Sequence, residues 1–171
     1  NSDKRRYANM LCSFMGMNER QYQHVIANLS RYLKVVEIEM SDRKWDEIDY
    51  ERVPSRANLQ YNNAFLRHDE DRRRQFLDSV SRGDAKINAG TLFPHDIVHK
   101  YAGVRGVDST LEALWDALPD TVDGCDNTIV VADGSASMTI RVGNSGVSAL
   151  DVANSLAIYF AERSSGQFKD R

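Results

Sequence analysis

The sequence has only two cysteines, Cys12 and Cys125. They lie far apart, and neither belongs to a CxxC pair or sits near a histidine at ligand spacing, which argues against a disulfide framework and a cysteine zinc site and fits reduced thiols in an intracellular protein. No window holds the eighteen or so apolar residues that a membrane span needs. The N-terminus, charged at Lys4, Arg5 and Arg6, lacks the apolar stretch of a signal peptide. These absences point to a cytoplasmic protein with no membrane partner. Excess basic charge is missing too: with a net charge of -3 and a pI near 5.8, the chain does not look like a domain that grips nucleic acid by overall charge. Any nucleic-acid role would need a local basic patch.

Hydrophobic residues make up 42% of the 171 positions, enough for one core or for one domain plus part of a second. The chain opens on Asn1 and stops at Arg171, shortly after what reads as the first helix of a new unit. The expectation is an excerpt of a longer protein.

Up to about Pro119 the pattern is a string of helices. "NERQYQHVIANLSRYLKVVEIEM" opens on a cap-type Asn18 with Gln21 three positions on, and Tyr22, Val25, Ile26, Leu29, Tyr32 and Leu33 recur at helical spacing. Ser41 is expected to begin a second short helix, with Trp45 and Ile48 on one face. Pro54 and Ser55 mark the next start, and that helix runs to about His68. "DEDRRRQFLDSVSRG" follows, with Phe76, Leu77 and Val80 inward and Gly83 as its stop. Two more short helices are expected at "PHDIVHKYA" and "STLEALWDAL".

After Pro119 the composition changes. "DTVDGCDN" reads as a linker, "TIVVA" as a β-branched run of strand length, and "SALDVANSLAIYFAERSSG" as a largely apolar helix. A buried strand, a polar loop and a helix make the opening of a parallel α/β unit. The loop carries Asp133, Ser135 and Ser137, and ligands gather beyond the carboxyl ends of strands in open α/β sheets. One carboxylate and two hydroxyls on alternate residues suit a hard cation such as Mg2+. Two other readings stay open: serines that satisfy loop backbone groups, and an aspartyl-phosphate chemistry at Asp133.

"VVADGSASM" followed by "SALDVANSLAIYFAE" resembles the first strand, metal-site loop and first helix of a von Willebrand factor A-type domain, whose signature is Asp-x-Ser-x-Ser. The upstream "VPS…FLRHD…G…PH" pattern is similar to a poorly characterised family in which a helical N-terminal region precedes such a domain. The resemblance implies that Ser135 and Ser137 touch a Mg2+ or Mn2+ ion directly and that Asp133 holds it largely through water. Gly134 and Ala136 depart from the usual apolar residue and glycine of that loop. The family's remaining ligands, a threonine and an aspartate, would fall beyond Arg171, so this chain alone is expected to bind the ion weakly or not at all. An incomplete sheet would also favour self-association.

Helices before an A-type domain are the architecture of the Ro autoantigen family, which binds structured RNA through its helical part. By that analogy Arg72, Arg73, Arg74, Lys4, Arg5 and Arg6 become candidate phosphate contacts. Asp69, Glu70 and Asp71 directly precede the first cluster, which favours a salt-bridged surface instead. Tyr7, Tyr22, Tyr32 and Tyr61 read as core edge, and His95 and His99 as one partly buried and one surface histidine without a third zinc ligand.

The expectation is therefore a mainly α protein: a helical region over 1–119, a linker over 120–127, and the start of an A-type α/β domain over 128–171. Its expected function is non-catalytic binding or scaffolding of a protein partner through a divalent cation. RNA binding by the helical region is the alternative, and phosphoryl transfer through Asp133 the third reading.

Overall fold

A computed structural model describes residues 2–171 except 102, 104 and 123–126. Cys125 and half of the expected linker 120–127 lie outside the described residues. The protein is mainly α, with eight α-helices among the described residues. Contacts group the chain into two units, Asn1–Ile48 and Asp49–Arg171.

In the first unit, α1 (Ser2–Phe14) and α2 (Glu19–Tyr32) form a hairpin. The α2 start is set locally: the Asn18 side chain accepts from the Gln21 backbone N–H at 2.9 Å, and the Gln21 side chain accepts from the Asn18 N–H at 2.9 Å. This reciprocal box satisfies two of the donors that a helix start leaves orphaned. Lys34, with φ +49°, ends the run. The helix expected to open at Ser41 does not form. Ser41 instead closes α3 (Val36–Ser41), where its hydroxyl donates to the Glu37 carbonyl at 2.6 Å, and Arg43 at φ +59° breaks the helical path. Only a short 3-10 turn, Trp45–Glu47, follows.

The second unit holds α4 (Ser55–His68), α5 (Glu70–Ser81), α6 (Pro94–Tyr101), α7 (Ser109–Asp116) and α8 (Ala149–Arg163). Gly83, at φ +80°, supplies the left-handed residue that stops α5. Leu77, Ile97, Leu111, Leu114 and Tyr159 are buried in one cluster, with Phe76 and Val80 packed against it. Tyr159 brings α8 into this core. Its hydroxyl donates to the Pro119 carbonyl and accepts from the Thr121 N–H at 3.0 Å. Arg163 lies 4.2 Å from the Tyr159 ring and donates to the Trp115 carbonyl at 3.1 Å. The C-terminal helix is therefore fastened to α7 and to the chain that leaves it.

The strand expected at 128–132 is absent. Those residues have no regular secondary structure, and Ile129 and Val131 are 56% and 86% exposed. A β run needs a neighbour for its ladder hydrogen bonds, and the bridge between Arg141 and Ser148 does not include it. The stretch is pinned at its start instead. Asn127 donates its N–H to the Ser165 carbonyl at 3.2 Å and accepts from the Gln167 N–H at 3.3 Å. An added Cβ on Gly166 would stand 2.5 Å from the Asn127 side chain, so this staple requires glycine there.

Candidate functional site

Asp133, Ser135 and Ser137 come together on an open loop. The Asp133 carboxylate accepts the Ser135 backbone N–H at 2.8 Å, a local turn of the kind that short acidic side chains form. That N–H, and then the Ser135 hydroxyl, hold the Asp133 carboxyl below its ordinary value. Ser135, in extended conformation, leads into a 3-10 turn, Ala136–Thr139, which lies against α8. The turn brings the Ser135 and Ser137 hydroxyls into a mutual hydrogen bond of 2.9 Å. All three residues are exposed.

The donor set fits a small hard cation. Oxygens about 2.1 Å from an octahedral Mg2+ lie about 3 Å apart along each edge, a separation that the hydrogen bond between the two hydroxyls already gives them. Among the described residues no three His, Cys, Asp or Glu side chains gather as a metal site. A cation here would therefore rest on one carboxylate and two hydroxyls, a set for Mg2+ or Mn2+ rather than zinc.

The three arginines of α5 have different surroundings. Arg74 pairs with Glu70 at 2.8 Å, and Arg72 pairs with Asp69 at 2.8 Å. Arg73 is fully buried. Its guanidinium carbon lies 5.1 Å from the Tyr50 ring, 5.2 Å from Phe65 and 5.4 Å from Phe76. Its Nη1 donates to the Asn58 side-chain oxygen at 3.1 Å, while Nε and Nη2 have no hydrogen-bond partner among the described residues. Burial pushes the Arg73 group down to about 10, against the opposing effect of Tyr50 and Asp108. An interior side chain cannot reach a phosphate on a surface-bound RNA, so the run does not act as a basic triplet. Lys4, Arg5 and Arg6 are exposed on α1 of the first unit.

Sequence reasoning missed the polar core around Arg73. Asn58 donates to the Val53 carbonyl at 3.0 Å, and Asn62 accepts from the Thr110 hydroxyl at 2.7 Å, with all three side chains buried. The available signal was two asparagines four apart on α4, on the face that also carries Phe65. The histidines stand as expected: His95 is half-buried and stacked on Phe93, and His99 is exposed with Nδ1 3.4 Å from Asp151. Tyr7 and Tyr32 do not sit at a core edge. Both are exposed.

Among the described residues no helix is long and apolar enough to cross a membrane. A family model described as a domain of unknown function, DUF2828, matches residues 8–132. An uncharacterized protein of Acanthamoeba polyphaga mimivirus is 29% identical over 180 residues, an alignment covering 96% of this chain and 30% of that protein. The chain thus spans less than a third of this relative. No solved structure matches the chain.

Proposed function

From the premise that the chain belongs to DUF2828, a poorly characterised family, we propose that it is a non-catalytic binding or scaffold protein. Its Asp133, Ser135 and Ser137 hold a Mg2+ or Mn2+ ion as the start of an A-type adhesion site, and a carboxylate of a protein partner completes the shell. The observation that carries the reading is the convergence of the Ser135 and Ser137 hydroxyls, hydrogen-bonded to each other at 2.9 Å, beside Asp133, whose carboxyl is held below its ordinary value. The family match also stops at residue 132, directly before this loop. With one carboxylate the ion is held weakly in this chain, at about millimolar affinity. When bound, it supplies a positive charge with open positions for an acidic side chain.

Water-proton relaxation during Mn2+ titration tests the site. The wild-type chain is expected to enhance relaxation, and Asp133→Ala and Ser137→Ala each to lose most of the enhancement. Equal titration curves for all three proteins would overturn the assignment. The RNA and phosphoryl-transfer readings have no comparable geometric support.

A further inference from the structure

The hairpin of the first unit keeps its apolar side chains outside. On α1, Tyr7, Met10, Leu11 and Phe14 follow the i, i+3, i+4, i+7 pattern of one face, and Phe14 is 90% exposed. No residue of α2 is buried, although the run from Tyr22 to Leu33 is an uninterrupted apolar stripe; Leu29 is 49% and Tyr32 85% exposed. Among the described residues the first unit buries only two hydrophobic side chains, Val36 and Ile48.

Ten large apolar side chains between Tyr7 and Leu33 are exposed. At roughly 150–250 Å² for an aromatic side chain and somewhat less for an aliphatic one, their exposed parts amount to on the order of 1,000 Å². That exceeds the roughly 300–600 Å² of the largest apolar patch on a typical monomer. It matches the about 800 Å² per partner of a stable interface.

We infer that this face pairs with the same face of a second copy, two hairpins closing into a four-helix bundle. A two-fold interface needs one patch that complements itself. An apolar stripe without charge meets that condition, and helical spacing sets Arg20 and Arg31 on the opposite side of α2. Size points the same way: a unit of this length encloses too little surface to build a core alone, and doubling it supplies the missing layer. An RNA or an anionic membrane would instead select basic residues along the stripe.

Analytical ultracentrifugation of the 171-residue chain over a concentration series tests the pairing. The expected mass is that of two chains, twice 19.4 kDa. Ile26→Asp with Leu29→Asp is expected to weaken association by roughly tenfold or more. Val131→Asp, which places the same charge on an exposed apolar residue of the second unit, is expected to leave it unchanged. Circular dichroism checks that all variants keep their helical signal. A monomer at every concentration, an open-ended series of larger species, or a dimer untouched by the α2 substitutions would each overturn the proposal.

Discussion

Arg73 is the residue on which local pattern and final environment differ most. In the sequence it stands between two arginines after an acidic triplet, and all three read as surface cations. Its spacing to Phe76 and Leu77, three and four positions on, puts it on the core-facing side of α5. There, aromatic faces take much of the place of water around the guanidinium, and Asn58 supplies its hydrogen bond. Asn58→Ala would leave a buried charge with rings alone, while the Val53 carbonyl would keep the Asn88 amide at 3.0 Å. The expected loss is about 2–3 kcal/mol in urea denaturation. Arg73→Met removes the charge along with its desolvation cost and is expected to destabilise less. An unchanged urea midpoint for Asn58→Ala would show that the rings suffice.

At the scale of elements, α8 was legible in both extent and start. Ser148 accepts the Asp151 N–H at 3.1 Å and Asp151 accepts the Ser148 N–H at 2.9 Å. Ser148→Ala is expected to cost about 1 kcal/mol. The Ser148 backbone N–H, then its hydroxyl, hold the Asp151 carboxyl below its ordinary value. Such a group contributes stability above the unfolded carboxylate range, and that contribution is lost as pH falls through the lowered value. The difference between Ser148→Ala and wild type should therefore shrink in acid, as thermal melts at neutral and acidic pH would show. A constant difference would remove Asp151 from the account. The element's surroundings were not legible: "TIVVA" has strand composition, but composition supplies no partner strand, and α8 found its cover on α6 and α7 instead.

At the scale of the whole molecule, alkaline pH separates a half-buried phenol and a buried guanidinium that act in opposite senses. The Tyr101 phenol is pushed up to about 12, first by burial and then by its hydrogen bond to Glu112. The folded protein thus keeps a proton that the unfolded chain releases near pH 10. This contribution is complete below that pH and is lost as pH rises from 10 through 12. Arg73 does the reverse. Its folded value near 10 lies below that of an exposed guanidinium, so its burial penalty eases as pH rises above 10. Stability measured from pH 9 to 12 is expected to fall less steeply for Tyr101→Phe than for wild type. Parallel curves would show that Tyr101 does not carry the loss.

By itself the sequence determined the mainly α character and most helix limits, because caps and stops act within four residues: Asn18 with Gln21, Pro54 before Ser55, Gly83 after α5. For α1 no limits were expected within the helical region over 1–119, but its stripe stands in the spacing of Tyr7, Met10, Leu11 and Phe14. The grouping of Asp133, Ser135 and Ser137 was legible for the same reason, since a tight turn joins residues two apart. Only the tertiary structure decided that Arg73 lies inside, that Asn62 meets Thr110 across 48 positions, and that Tyr159 closes the core. Those outcomes depend on groups distant in sequence competing for the same buried volume, and no local signal carries that information.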